Sequence, residues 1–211
     1  MIEVKICGIS TPEALRVAAK AGADFVGFVF FPASPRAVTP AQSGPLSASL
    51  EGGPRRVGLF VDPDDELLAA ALATTPLDLI QLHGEETPAR VAEIRARFGP
   101  VMKAIGIATE ADLAAIADYA EVADRLLLDA KPPVGAELPG GNAAPFEWRL
   151  ARLAAIPVPW LLAGGLTPGN VAEAIAASGA PGVDVSSGVE LVRGAKDAGL
   201  IRDFVRAARG M

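Results

Sequence analysis

The amino-acid sequence predicts an α/β fold, a short (β/α)8 TIM barrel that forms a single domain over residues 1–211. Short apolar segments alternate with segments of helical periodicity along the whole chain, and we count eight of each. The apolar segments are hydrophobic almost throughout, as is typical of parallel strands buried on both faces. Alternation of this kind predicts a parallel sheet, and eight units match the strand count of the barrel. An open, doubly wound sheet with fewer strands is the alternative.

The apolar segments define eight predicted strands. In chain order they are Val4–Cys7, Asp24–Val29, Arg56–Val61, Leu77–Leu82, Val101–Ile105, Arg125–Asp129, Pro159–Ala163 and Gly182–Val185. The predicted helices are Pro12–Lys20, Pro40–Leu50, Asp64–Ala73, Thr87–Arg97, Glu110–Tyr119, Pro145–Leu153, Pro168–Ala177 and Ala198–Ala208. We expect the second helix to be irregular, because the stretch from Gln42 to Gly53 is rich in Gly, Ser and Pro.

Several helix ends carry their own signals. Three threonines stand where a hydroxyl can cap a helix N-terminus, and two of them precede a proline: Thr11, Thr109 and Thr167. Three glycines follow helices and are expected to end them: Gly22, Gly99 and Gly179.

Composition excludes several classes of function. Nineteen basic and 25 acidic residues give a net charge of −6, which argues against general affinity for nucleic acid or for an anionic membrane. The single cysteine, Cys7, excludes an intrachain disulfide, and with the single histidine, His83, it cannot build a Cys/His zinc site. The N-terminal residues lack the apolar region of a signal peptide, and no apolar run is long enough to span a membrane. We therefore expect a soluble cytoplasmic protein.

The polar residues at the ends of the predicted strands are the candidate functional residues, because a barrel of this kind places its chemistry there. They are Cys7, Arg36, Asp62, Gln81, His83, Asp129, Lys131, Gly164, Gly165, Ser186, Ser187 and Gly188. The only cysteine and the only histidine both fall on this rim. That coincidence favours a functional site there more strongly than either position does alone.

The glycines after strand 7 and the Ser-Ser-Gly segment after strand 8 predict a phosphate site. Loops at these two positions commonly bind phosphate through backbone N–H groups and a short helix N-terminus. Gly164 and Gly165 allow the backbone to approach an anion closely, and Ser186, Ser187 and Gly188 follow the last strand. Two ordinary Gly/Ser-rich turns are the alternative interpretation.

The remaining candidates each have a functional and a structural interpretation. Asp129 is expected to face the barrel mouth, because a carboxylate in the core would be costly. Cys7 is either a small buried hydrophobe or a thiol at the mouth. Arg36 is either an exposed loop charge or a bidentate clamp for a substrate carboxylate. His83 is an acid, a base or a pocket wall, and a lone histidine is more often structural.

The segments in this order resemble the N-(5′-phosphoribosyl)anthranilate isomerase family of tryptophan biosynthesis. The resemblance runs from end to end and is carried by VKICGI at 4–9, GADFVGFVFFPASPRAV at 22–38, VGLFVD at 57–62, IQLHGEE at 80–86, LLLDAK at 126–131, GG and F-x-W within 140–148, LLAGGLTPGNV at 161–171 and GVDVSSGVE with KD within 182–197. Any one piece is weak evidence, but KICGI, SPR, QLHG and DVSSGVE at barrel-unit spacing form a specific signature.

The resemblance implies an Amadori rearrangement of the aminoaldose phosphoribosylanthranilate to an aminoketose, with no metal or organic cofactor. The general base is then Cys7, the general acid is Asp129, and Arg36 holds the anthranilate carboxylate. The family's site-lining positions fall on His83 and Asp184. Its phosphate-binding positions fall on Gly164, Gly165, Ser186, Ser187 and Gly188. The implied partner is a small-molecule substrate, and we expect a monomer or a homodimer.

These roles require the pKa values of the two groups to be shifted in opposite directions, down for the thiol and up for the carboxyl. A free thiol has a pKa near 8.5, so we expect the site to lower the pKa of Cys7, for example through Lys5 or the cationic iminium. Asp129 must instead hold a proton, which desolvation favours. The family's GGTG after strand 6 is GGNA here, at 140–143, and Phe-Glu-Trp follows at 146–148, so the contacts of the Gly140–Trp148 loop stay open.

Two other functions remain as alternatives. One is another sugar-phosphate barrel enzyme, such as a Schiff-base aldolase that uses Lys5, Lys103 or Lys131. The other is a non-catalytic barrel that binds a phosphosugar, which the presence of both Cys7 and Asp129 disfavours.

Overall fold

Eight parallel strands close into a barrel, as the alternation of apolar and helical segments predicts. The computed structural model describes residues 1–50, 52–131 and 147–211. The strands are β1 (Glu3–Cys7), β2 (Phe25–Val29), β3 (Arg55–Phe60), β4 (Leu79–Leu82), β5 (Val101–Ile107), β6 (Arg125–Ala130), β7 (Trp160–Leu162) and β8 (Gly182–Val185). They are hydrogen-bonded in sequence order, and β8 closes the ring on β1. The prediction of an eight-stranded barrel is confirmed, and the open sheet is excluded.

Helices follow the strands around the outside of the barrel. They are α1 (Pro12–Ala21), α2 (Pro40–Ala48), α3 (Asp65–Thr74), α4 (Pro88–Phe98), α5 (Ala115–Ala120), α6 (Val171–Ser178) and α7 (Ala198–Ala208). Within the described residues, three 3₁₀ helices lie at Glu110–Ala114, Trp148–Leu153 and Ser187–Val189. Among the helices of the described residues, none is long and apolar enough to cross a membrane.

The second helix forms despite its composition, because two reciprocal hydrogen bonds between Thr39 and Gln42 cap its N-terminus. Thr39 Oγ1 accepts from the backbone N–H of Gln42, and the Gln42 side chain accepts from the backbone N–H of Thr39. This capping box satisfies two N–H groups that have no intrahelical partner. The irregularity of the helix is Pro45, which lies inside it and cannot donate a hydrogen bond.

Several predicted ends are shifted by one or two residues, and three predicted helices differ from the structure more than that. The helix after strand 7 begins at Val171 with Asn170 at its N-cap, because Thr167 and Pro168 form a turn that precedes it. The fifth helix is split into a 3₁₀ segment and α5. Within the helix predicted from Pro145, the described part is a 3₁₀ helix from Trp148.

The core has an inner and an outer part. The outer part packs the helices against the strands, and Leu15, Leu68 and Ile94 are among its fully buried side chains. The inner part fills the barrel with Phe25, Val57, Leu79, Met102, Ala104, Leu127, Leu161 and Ala163. Above it, at the C-terminal end of the strands, a small cluster of Cys7, Val29 and Leu59 packs with Phe31 and Val61. In the part of the chain that the structure describes, the barrel interior is therefore filled by these side chains below its mouth.

A short antiparallel hairpin follows the last 3₁₀ helix. It consists of β9 (Glu190–Val192) and β10 (Ala195–Lys196), and the sequence analysis did not predict it. The hairpin brings Glu190 and Lys196 to the mouth of the barrel, where both side chains are buried.

Candidate active site

The mouth of the barrel holds a cavity with one apolar side and one charged side. Its lining consists of Cys7, Val29, Phe31, Ser34, Arg36, Leu59, Val61, His83, Asp184 and Ser186. Five of the residues that the sequence placed in the site therefore line one space: Cys7, Arg36, His83, Asp184 and Ser186. A second cavity meets the first at His83 and contains Asp129 and Lys131.

Cys7 ends β1 and is buried at the mouth. Lys5, two residues earlier, is on the same face of the strand because side chains alternate along it, and its side chain is fully buried. Lys5 Nζ lies 2.9 Å from Asp184 Oδ1 on the neighbouring strand β8. Cys7 therefore sits above a buried ion pair, and Asp184 holds Lys5 as well as lining the cavity.

The environment of Cys7 does not lower its pKa, and the prediction that it would is wrong for the free protein. Burial raises the pKa of the Cys7 thiol, and the Lys5 ammonium and a smaller contribution from Lys196 oppose this rise without overcoming it. For Lys5 the balance is reversed: burial lowers its pKa, but Asp184 and Cys7 outweigh burial, and the net pKa is raised. The resting state is thus a neutral thiol beside a protonated amine.

The three lysines that could form a Schiff base are all bound to carboxylates. Lys5 contacts Asp184, Lys103 Nζ lies 2.7 Å from Glu86 Oε2, and Lys131 Nζ lies 2.9 Å from Asp112 Oδ1. A Schiff-base lysine must be an unprotonated nucleophile. Since each of these amines is already held by a carboxylate, the geometry disfavours the aldolase alternative.

Asp129 lies at the end of β6, and each of its carboxyl oxygens is within hydrogen-bonding distance of a nitrogen. Its Oδ1 accepts from the backbone N–H of Ala130 at 2.8 Å, and its Oδ2 lies 3.2 Å from His83 Nε2. The opposite ring nitrogen, His83 Nδ1, lies 2.9 Å from Gln81 Nε2. The carboxyl is buried at the mouth, as predicted.

Arg36 is buried at the mouth rather than exposed in its loop. It makes a bidentate ion pair with Glu190: Nε lies 2.7 Å from Oε1 and Nη2 lies 2.8 Å from Oε2. Gly8, with φ of 78°, provides the space, because a Cβ there would lie 2.6 Å from Arg36 Cδ. The sequence shows no acidic residue near Arg36 because its partner is 154 positions away. The guanidinium is therefore fixed along one edge and offers its remaining N–H groups to a ligand.

Lys196 completes this cluster and was missed by the sequence analysis. Its Nζ contacts Glu190 Oε1 at 2.5 Å, Ser186 Oγ at 3.2 Å and the carbonyl oxygen of Ser186 at 3.1 Å. Burial would raise the pKa of Glu190, but hydrogen bonds from Arg36 and Lys196 outweigh it and lower that pKa to about 2. Glu190 is thus an ionised carboxylate shared by two buried cations. The KD pair of the family signature was the only signal that pointed to Lys196.

The loops after β7 and β8 carry the residues of the predicted phosphate site. Gly164 and Gly165 have φ of 87° and 64°, and within the described ranges neither their N–H groups nor that of Ser186 has an acceptor. Gly188 packs against the next loop so closely that a Cβ there would overlap the carbonyl oxygen of Leu166. The Ser186 hydroxyl is already used, since it donates to the carbonyl of Cys7 at 3.2 Å.

Most of the Gly140–Trp148 loop lies outside the described residues, so its contacts stay untested. Among the residues that are described, no group of three or more His, Cys, Asp or Glu side chains could hold a metal ion.

Comparison with known proteins gives one consistent result. The family model described as N-(5′phosphoribosyl)anthranilate (PRA) isomerase matches residues 4–207. A protein of Paracoccus denitrificans named N-(5′-phosphoribosyl)anthranilate isomerase is 59% identical over 98% of this chain and 97% of its own. The corresponding protein of Paramagnetospirillum magneticum is 56% identical over 99% and 98%. The crystal structure of phosphoribosyl anthranilate isomerase from Thermotoga maritima covers all of both chains, with 37% identity and a TM-score of 0.88. Another solved structure of this isomerase, with 35% identity and a TM-score of 0.85 over all of both chains, contains reduced 1-(o-carboxyphenylamino)-1-deoxyribulose 5-phosphate.

Proposed function

The chain belongs to the N-(5′-phosphoribosyl)anthranilate isomerase family, and from that premise we propose how its own residues bind the substrate and carry out the reaction. The protein is a phosphoribosylanthranilate isomerase of tryptophan biosynthesis. It converts N-(5′-phosphoribosyl)anthranilate to 1-(2-carboxyphenylamino)-1-deoxyribulose 5-phosphate. One observation carries the residue assignment: the cavity at the mouth joins Cys7 and Arg36 on one side of His83, and Asp129 lies on its other side.

The substrate has an anion at each end, and the site offers a different partner for each. The phosphate is assigned to the backbone amides of Gly164, Gly165, Ser186, Ser187 and Gly188, because the N–H groups of Gly164, Gly165 and Ser186 have no acceptor among the described residues. The carboxylate is assigned to the free edge of Arg36. The aromatic ring is then expected to pack on the apolar wall of Val29, Phe31, Leu59 and Val61.

The chemistry is assigned to two proton transfers at the middle of the substrate. Asp129 gives its proton to the ring oxygen, the C1′–O bond breaks, and the anilino nitrogen forms an iminium with C1′. The Cys7 thiolate then removes the C2′ proton, and the electron pair of that bond forms the C1′=C2′ double bond of an enolamine. Transfer of the hydroxyl proton to C1′ gives the ketone. Each positioned proton transfer typically contributes about 10²–10⁴-fold in rate.

The test uses two nearly isosteric substitutions. Cys7→Ser and Asp129→Asn each remove the proton-transfer function with little change in shape, so we expect kcat to fall by about 10²-fold or more. Asp78→Asn is the matched control, because Asp78 pairs with Arg56 at the opposite end of β4 from the site. Turnover close to wild type in either site variant would refute the role assigned to that residue.

Two further measurements separate the alternatives. Expression in a tryptophan auxotroph that lacks this isomerase should restore growth, which a non-catalytic phosphosugar-binding barrel would not do. Borohydride reduction with substrate should leave the lysines unlabelled, whereas a Schiff-base enzyme would be trapped on one of them.

We also propose the oligomeric state of the enzyme and its location in the cell. A solved relative from Thermotoga maritima is described as a dimeric enzyme from which monomers were generated. For this chain we propose a monomer or a homodimer of one-domain subunits, which light scattering at several concentrations would distinguish. We propose a cytoplasmic location, which cell fractionation would test.

A further inference from the structure

Gln81 forms a line of polar contacts with the proposed acid, and the mechanism above gives it no role. The Gln81 side chain is fully buried on β4, and its Nε2 lies 2.9 Å from His83 Nδ1. His83 Nε2 in turn lies 3.2 Å from Asp129 Oδ2. Both His83 and Asp129 expose only about a tenth of their side chains, 11% and 12%, so these contacts are largely shielded from water.

The amide of Gln81 is poorly satisfied, which argues against a purely structural role. Its Oε1 is buried and has no hydrogen-bond partner among the described residues. A buried carbonyl left in this way is destabilising, because the hydrogen bond it made to water in the unfolded chain is lost and not replaced. Methionine has a similar volume and would fill the same space without that cost. What the amide provides and methionine cannot is a hydrogen bond to His83.

We propose that Gln81 is a positioning residue that fixes the tautomer of His83 and thereby directs the His83 Nε2–H at Asp129. A neutral imidazole has one donor and one acceptor nitrogen. Since the amide N–H of Gln81 donates to Nδ1, the proton of the ring is on Nε2, which faces the carboxyl oxygen of Asp129. The tautomer of a functional histidine is set in this way by the partner of its other nitrogen.

The consequence for catalysis rests on the proposed role of Asp129. When Asp129 gives up its proton, negative charge develops on its carboxyl group, and the Nε2–H of His83 and the N–H of Ala130 are already in place to stabilise it. Donors that are positioned before charge develops accelerate the step without a cost of reorganisation. Gln81 thus acts on the proposed acid through His83, which contacts both residues.

The single histidine of the chain makes the tautomer directly measurable. In protein labelled with ¹⁵N-histidine, the two ring nitrogens of His83 give one set of resonances that distinguishes Nε2–H, Nδ1–H and imidazolium forms. We expect the Nε2–H form in the wild-type protein near neutral pH. A predominant Nδ1–H form would overturn the proposal without any variant and independently of enzyme activity.

Two variants test the link to turnover. Gln81→Met removes the donor to Nδ1, so we expect a mixture of tautomers and a kcat reduced about 3–10-fold with KM nearly unchanged. Gln81→Glu places an anion beside Nδ1, so we expect an imidazolium and a kcat reduced by more than 10-fold, because a cation beside Asp129 holds it ionised. The Gln81→Met variant should melt no lower than wild type, since the unpaired carbonyl is lost with the amide. The matched control is Gln42→Glu, the same change in the capping box of α2.

A double-mutant cycle separates action through His83 from a direct effect. In a His83→Ala background, Gln81→Met should change kcat less than twofold. An undiminished effect there would refute the proposal, as would unchanged kcat and tautomer in both Gln81 variants. Absence of isomerase activity in the wild-type protein would refute the proposed function but would leave the tautomer measurement valid.

Discussion

Glu190 gives the sharpest test of how the site is held together. Its carboxylate binds Arg36 through both oxygens, Lys196 through Oε1 and the backbone N–H of Gly194 through Oε2. Only 3% of the Glu190 side chain is exposed. Glu190→Gln keeps the shape but removes the charge, and it leaves two cations buried beside a neutral amide.

The magnitude follows from burial. Removing one partner of a buried ion pair costs about 3–5 kcal/mol, because the remaining charge is desolvated without compensation. For a domain of this size, 1 kcal/mol corresponds to about 2–4 °C in Tm. Glu190→Gln should therefore lower Tm by about 6–20 °C. Since Arg36 also loses its bidentate anchor, KM should rise more than kcat falls.

The chain contains a matched control for this experiment. Glu93 also binds two cations, Arg90 at 2.9 Å and Arg97 at 3.0 Å, but 48% of its side chain is exposed. Exposed pairs are screened by solvent and contribute little to stability, so Glu93→Gln should lower Tm far less than Glu190→Gln does and leave KM unaltered. Tm would be measured by circular dichroism, and the kinetic constants from the loss of substrate fluorescence. If the two variants have the same Tm, burial does not set the strength of the Glu190 cluster.

Four further outcomes are expected. Arg36→Met should raise KM with a smaller effect on kcat in steady-state assays, because carboxylate binding is shared by ground and transition states; the opposite pattern would refute the clamp. The pKa of Glu190 is about 2 against an ordinary 4.5, so its contribution to stability is complete above pH 4.5 and is lost as pH falls toward 2; chemical denaturation across this range should show that loss in wild type and not in Glu190→Gln. Lys5→Met should move the alkaline rise of kcat/KM to higher pH, because Lys5 opposes the effect of burial on the pKa of Cys7; an unmoved profile would argue against Cys7 as the base. Gly188→Ala should weaken inhibition by inorganic phosphate at least tenfold, because its Cβ would displace the loop that it packs against, and unchanged inhibition would place the phosphate elsewhere.

The barrel was predictable because its determinants are local. Each strand is an apolar run, and each unit repeats the same order, so the rim positions of Cys7 and Asp129 follow from where two of those runs end. The start of α6 was misplaced because Thr167-Pro168 matches a helix cap as well as it matches the turn that precedes Asn170.

The arrangement of charge at the mouth was not predictable in the same way. The partner of Arg36, Glu190, is 154 residues away in the chain. It lies in a hairpin whose strands are too short to show the alternation of apolar and polar residues that predicts a strand. The prediction that the pKa of Cys7 is lowered was wrong because it counted the nearby cation Lys5 but not the depth at which the thiol is buried or the carboxylate of Asp184. Pairing and burial depend on tertiary contacts that no local pattern reports.

The pairing of these cations has a consequence for the order of the reaction. Lys5 is matched by Asp184, whereas Arg36 and Lys196 share the single carboxylate of Glu190, so one positive charge of this cluster is uncompensated, and it does not overcome the effect of burial on Cys7. The raised pKa keeps Cys7 as a thiol in the free enzyme. The iminium that forms when the sugar ring opens is a new and unpaired cation next to that thiol, and an adjacent cation favours the thiolate. On the roles proposed above, we therefore expect Cys7 to release its proton to solvent only after the iminium has formed, so that ring opening precedes removal of the C2′ proton.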